Sequence, residues 1–316
     1  MKNAIARSLP LLLILALMPA LVADVKTTEK SMTKLEGWIG KILRLGGEMT
    51  STMSLKGSRM ASMTDRNGTI IDVAEEKFYM VDLRGKEYQV ITFAEMRKMM
   101  EDAKKQMADS MKDMPESDKA ALKEAGAQLE FDATVKETGQ HRQIAGYDAR
   151  EAVITITMRG KGQKLEESGG FVATDNIWLG PKIAAMDEMA VFGMKFAKAV
   201  FGDAFAGMDP RQGAQLSAFL PGLSAMMQRL GQESAKLQGT QLAHTLILET
   251  VKSAEQMKGA PSSTGGGIGG MLAKSMMKGS SQQRTKTFTS TREVLSVGTA
   301  VADADVAIPA GFKLKK

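Results

Sequence analysis

Apolar and polar residues trade places at nearly every second position between Met49 and Ile91. In EMTSTMSLKGSRMASMTDRNGTIIDV, Met49, Ser51, Met53 and Leu55 fall on one face of an extended strand, Lys56-Gly57-Ser58 turns the chain, and Met60, Ser62 and Thr64 follow on the return. Asn67-Gly68 reads as a hairpin dipeptide, because both residues tolerate positive φ. Residues 69–73 and 77–83 read as two more strands, and Arg84-Gly85-Lys86 turns into a strand at 87–91. Successive hairpins of this kind make an antiparallel meander.

The period then changes. Thr92 and Glu95 match the T-x-x-E capping pattern, which starts a helix. Met96, Met99, Met100, Ala103, Met107, Met111 and Met114 share one helical stripe, and Pro115 closes the segment. A shorter helix is expected at about 117–125. The thioether stripe needs an apolar surface, and the concave side of the preceding sheet is the simplest one. Strands are expected at 128–137, 146–160 and 169–180, with Asp175-Asn176 as a bend. Helices follow at 187–205, with Met189, Phe192, Phe196 and Val200 on one stripe, and at 211–234, interrupted at Pro221. Residues 240–255 read as a long strand. Residues 257–283 are rich in glycine and serine and read as a flexible insert. In RTKTFTSTREVLSV, Thr285, Thr287, Thr289 and Thr291 alternate, which suits a strand near an edge or facing water. The tail VAIPAGFKLKK reads as short and extended. Before the meander, Met32, Leu35, Ile39 and Ile42 are spaced as a helical stripe over 27–45, ended by Gly46-Gly47.

The chain begins with a different pattern. Lys2 and Arg7 precede the apolar run LPLLLILALMPALVA, which ends at Ala23. This is the form of a secretory signal peptide over 1–23, leaving residues 24–316 as one domain. The run is too short, and carries Pro10 and Pro19, for a membrane anchor. The expected compartment is the periplasm, with the protein soluble. Cysteine is absent, so lipidation at cysteine, disulfides and thiol chemistry are excluded.

Composition removes further classes. Net charge is +6, from 42 Lys+Arg against 36 Asp+Glu, and no dense basic run is interleaved with aromatics, which argues against nucleic acid. GGGIGGMLAKS superficially suggests a phosphate loop, but Ala273 stands where a glycine must precede Lys274-Ser275, which argues against nucleotide. The two histidines, His141 in a polar turn and His244 in a strand, read as structural, and no catalytic or metal motif surrounds either. No cofactor is implied, and a non-enzymatic role is expected. With 25 methionines, three uses compete: filling irregular core gaps, lining a soft pocket for acyl chains, or holding Cu(I) through thioethers.

Met53-x-x-Lys56-Gly57-x-x-Met60, GTIIDVAEEKFYMVD, KEYQVITFAEM, IAGYDAREAVI, NIWLGP and the closing IPAGFK resemble an uncharacterised exported family, domain of unknown function 4412. The resemblance implies an α+β half-barrel, a curved antiparallel sheet wrapping helices in the LolA/LolB-like manner, around an apolar cavity. It supplies no catalytic residues. The resulting expectation is a carrier of a lipid or of a lipoprotein or other acylated partner. The candidates for its cavity are Met49, Met53, Met60, Tyr79, Val81, Met96, Met99, Met100, Met107 and Trp178. The rival expectation is a structural or interaction protein with a filled core and no ligand.

Overall fold

A strand near the start of the chain joins the two halves of the sheet. The structure is a computed structural model that describes residues 24–36, 46–112, 115, 129–202, 221–258 and 283–315. The signal sequence, the 117–125 helix and residues 259–282 of the insert lie outside these, as do residues 37–45 of the first expected helix and 211–220 of the last.

In chain order, the first half forms strands β1 (Val25–Leu35), β2 (Gly46–Lys56), β3 (Arg59–Met63), β4 (Asn67–Asp72), β5 (Lys77–Asp82) and β6 (Glu87–Thr92), then helix α1 (Phe93–Lys112). The second half forms β7 (Leu129–Ile144), β8 (Tyr147–Gly160), the one-turn α2 (Leu165–Ser168), β9 (Gly170–Gly180), α3 (Ala184–Phe201), α4 (Pro221–Ser234) and β10 (Thr240–Val251). The one-turn α5 (Ala254–Met257), β11 (Arg284–Gly298), a 3-10 turn (Asp303–Val306) and β12 (Lys313–Leu314) complete it. All twelve strands belong to one sheet, ordered β12-β6-β5-β4-β3-β2-β1-β11-β10-β9-β8-β7. Every neighbouring pair is antiparallel except β12 with β6. The sheet is thus two meanders, β2–β6 and β7–β11, with β1 inserted between them.

This corrects the expected α+β half-barrel. One large, mixed sheet that does not close dominates the described residues, and helices are few. The decisive change is at β1. In its described part, residues 27–36, the helix expected at 27–45 gives way to a strand, with Val25, Thr27 and Glu29 buried and the residues between them less so. Three threonines and a valine favour extended backbone, and ladders on both sides, to β2 and to β11, satisfy the strand's backbone groups. The same insertion moves β11 from its expected edge to the middle of the sheet. Thr287 is buried there and its hydroxyl donates to the Leu248 carbonyl at 3.0 Å.

Two turn assignments also change. Asn67-Gly68 begins β4 and does not form the turn, which is closed by Thr64. The Thr64 Oγ1 accepts from the backbone N–H groups of Arg66 and Asn67, at 3.2 and 3.0 Å. Gly68 matters there for a different reason: a Cβ would lie 2.0 Å from Met63 Sδ, so the Met63 side chain would have to move. Asp175-Asn176 lies within the continuous ladder of β9 and makes no bend. Pro221 stands at the first position of α4, where its missing N–H costs nothing.

Three apolar clusters hold the layers. In the first, α1 and α3 cover one face of the sheet, bringing Phe93, Phe192 and Val200 against Val25, Leu55, Ile71 and Val294. In the second, Met226 and Leu230 of α4 pack on Ile154, Ile156, Ala173, Ile177, Leu246 and Leu248. The third lies on the opposite face of β3–β6, where the closing segment sets Val301, Val306, Ile308 and Phe312 against Ala61, Ile70, Tyr79 and Val81. The far meander is strongly curled. Four strand spacings of a flat sheet, roughly 19 Å, would separate β7 from β11. Arg142 of β7 nevertheless reaches Glu293 of β11 at 3.0 Å. A bulge between Glu137 and His141, with Gly139 at φ +75°, bends the β7–β8 hairpin. His141 therefore lies in a bulged strand, paired with Asp148 at 2.9 Å, rather than in a turn. No helix among the described residues is long and apolar enough to cross a membrane.

Candidate functional site

The capping box at the start of α1 is formed as the sequence indicates. The Thr92 N–H donates to Glu95 Oε2 at 2.7 Å, and the Glu95 N–H donates to Thr92 Oγ1 at 3.1 Å. Phe93 is fully buried and Met96 packs beside it, but Met99 is 52% exposed and Met100 is exposed as well. The helix leans on α3, where Arg97 Nη1 donates to the Ala199 carbonyl at 2.7 Å. A cation there meets the negative end of the α3 dipole.

The remaining cavity candidates are divided between the two faces. Met49, Met53 and Met60 share the helix-covered face of β2–β3, as the pairings Met53↔Ser62 and Met60↔Leu55 require. Met60 packs against the first cluster, whereas Met49 is exposed. Tyr79 and Val81 point the other way, into the third cluster. Phe78, one residue earlier, is the side chain that faces the helices. Trp178 packs at the edge of the first cluster with the Arg142 guanidinium 4.5 Å above its ring. The side chain of Met107 lies outside the described residues. The nine candidates whose side chains are described are therefore split between the two faces of the sheet.

A cleft exists elsewhere. It has a volume of about 320 Å³ and lies between α3, the β2–β3 turn and the β4–β5 turn. Glu188, Val191, Phe192 and Lys195 present one helical face to it, and Gly57, Ser58, Val73 and Ala74 form the other wall. Val73, Val191 and Phe192 give it an apolar lining, and Glu188 and Lys195 are its charged members. Asp72 fixes the strand wall. Its Oδ1 accepts from the N–H groups of Ala74 and Glu75 at 3.0 Å each, and its Oδ2 accepts from Arg59 Nε at 2.6 Å. Burial pushes the Asp72 carboxyl up, but the hydrogen bonds from the Glu75 N–H, the Arg59 guanidinium and the Ala74 N–H together hold it below the ordinary carboxylate range. The stripe Met189, Phe192, Phe196, Val200 located the buried side of α3. The cleft side, 188, 191 and 195, mixes charge with valine and gives no periodic signal.

A second feature is a row of polar groups on the helix-covered face, crossing four strands. Arg292 Nε donates to Glu29 Oε2 at 2.6 Å, and Arg292 Nη2 donates to Glu29 Oε1. Arg292 is the register partner of His244. His244 Nδ1 lies 3.2 Å from Asp175 Oδ1. Glu29 and Asp175 are buried, while Arg292 and His244 keep 31% and 22% of their side chains exposed. Thr27, one pleat before Glu29, is fully buried, and its hydroxyl has no hydrogen-bond partner among the described residues. His244 alternated visibly in its strand, but its partners come from strands far away in sequence, so the row had no local signature. No family model matches this sequence and no curated protein matches it, so the resemblance to domain of unknown function 4412 rests on the quoted motifs alone.

Proposed function

We propose that this is an exported, non-enzymatic binding protein whose α3 cleft takes an apolar group, the acyl chain of a lipid or of an acylated partner. The observation that carries this reading is the cleft's lining of Val73, Val191 and Phe192, backed by a strand wall that Asp72 and Arg59 hold rigid. Its volume of about 320 Å³ stands at the lower end of the range for small-molecule pockets, enough for one chain and not for a whole lipid. The leader pattern at Lys2–Ala23 supports export, and a periplasmic address follows from it.

The test is a titration with a fluorescent acyl probe. The parent should bind it saturably, and Val191→Glu should weaken binding at least tenfold while leaving the urea midpoint unchanged, since Val191 is exposed. Absence of saturable binding by the parent, or undiminished binding by the variant, would defeat the reading in favour of an interaction protein with a filled core. Export is checked separately by N-terminal sequencing of envelope protein, which should begin at Asp24 or within a few residues of it.

A further inference from the structure

We propose that the outward edges of Arg292 and His244 form a binding site for a singly protonated phosphate, free or carried as a lipid headgroup. The site is separate from the α3 cleft, and neither reading depends on the other.

The argument starts from cost. Two carboxylates on the helix-covered face of a sheet are expensive to bury, and apolar residues of similar volume stabilise such a face at least as well. Glu29 and Asp175 nevertheless sit there, between the apolar clusters, and each is spent on one partner. Glu29 takes the Nε and Nη2 side of Arg292 with both of its oxygens, which fixes the plane of the guanidinium. Asp175 takes Nδ1 of His244, so that in the neutral ring the proton is on Nδ1 and Nε2 is the acceptor. Carboxylates beneath, orienting basic groups above, is the arrangement that second-shell groups give to ligand-binding side chains.

The outer edges are what remain. Arg292 Nη1 and His244 Nε2 have no hydrogen-bond partner among the described residues, and both side chains reach solvent. As register partners on adjacent antiparallel strands, their Cα atoms are about 4.5–5.5 Å apart. The site thus offers N–H donors from a planar fork beside one imidazole acceptor. The complementary ligand carries anionic oxygens and one O–H. A phosphate monoester has both in its singly protonated form, which is about half of the population near pH 6, its second pKa, where the titrations are run. Its oxygens accept from Arg292, while its O–H donates to Nε2 of His244. If the proton crosses to Nε2, the imidazolium stands between Asp175 and the phosphate, and no other atom moves. Sulfate has the same shape but carries no proton at this pH.

The chain has only two histidines, so imidazole NMR reads the site directly. His141, exposed and paired with Asp148, is the internal control. The full mature protein is titrated with inorganic phosphate, with a short-chain lysophosphatidic acid and with sulfate. The expected result is a saturable shift of the His244 resonances with a phosphate ligand, none at His141, and sulfate at least tenfold weaker. Tighter binding of the lysophosphatidic acid identifies a headgroup site; equal or weaker binding identifies a site for free phosphate. Because Arg292→Gln alone would leave Glu29 buried without a partner, the variant is the double change Glu29→Gln and Arg292→Gln. It should lose at least tenfold in affinity, and the double change Asp175→Asn and His244→Gln, followed by phosphorus NMR of the ligand, should lose as much. The proposal is overturned if His244 shows no saturable shift, if His141 shifts equally, if sulfate binds as well as phosphate, or if either variant binds as the parent does.

Discussion

Phe93 and Phe196 meet edge to face with ring centroids 5.3 Å apart, joining the first turn of α1 to the buried side of α3. Such a pair adds about 0.5–1.5 kcal/mol beyond the area it buries. Phe93 is the anchor of α1, with Met96 beside it, because Met99 and Met100, next along the methionine stripe, are exposed. Phe93→Ala should cost about 3–5 kcal/mol. Met99→Asp should fall within about 0.5 kcal/mol of the parent, as exposed substitutions do. Urea melts of the two variants decide between this anchoring and a helix buried along its whole length, for which the order of costs would reverse.

Thr27 carries a removable defect. Its hydroxyl is buried without a partner among the described residues, which costs about 1–3 kcal/mol relative to a satisfied group. Valine has nearly the same shape and favours strands. Thr27→Val should therefore raise stability by about 1 kcal/mol, seen as a higher urea midpoint with an unchanged slope. A loss of stability would mean that the hydroxyl has a native partner.

Asp72 makes the strand wall of the cleft sensitive to acid. Its native pKa lies below the unfolded value of about 3.9, so the native state holds the proton less tightly than the unfolded chain does. The contribution is complete above about pH 4 and disappears as pH falls through the native value. Asp72→Asn should cost about 1.5–3 kcal/mol at neutral pH and flatten the decline in stability below pH 4. Denaturant melts at pH 7 and at pH 3 on parent and variant measure both effects, and parallel declines would exclude Asp72 as their source.

The β7–β8 hairpin is pinned by Arg142, which lies over Trp178 and pairs with Glu293. Both contacts are partly exposed, so Arg142→Ala should cost only about 0.5–1 kcal/mol. It should also shift the emission of Trp178, one of two tryptophans in the chain. Unchanged emission in a Trp38→Phe background would show that the stacking does not persist in solution.

Local chemistry was legible in the sequence wherever residues close together determine the structure. The meander from Met49 to Ile91, the Thr92–Glu95 capping box, the strands of 129–180 and the helix around Phe192 follow from side-chain period and from capping groups within a few positions of one another. Pairing between distant segments was not legible. Residues 25–35 carry a helical stripe and a strand alternation at once, and the choice between them was made by β2 and β11. Glu29 meets Arg292 across 263 positions, and His244 meets Asp175 across 69. Face was equally hidden in β5, where a shift of one residue separates Phe78 on the helix side from Tyr79 beneath the closing segment. Periodicity tells which residues share a face, but only the assembled sheet decides what covers that face, because hydrogen-bond ladders and apolar burial are satisfied by whichever partners the whole chain can bring there.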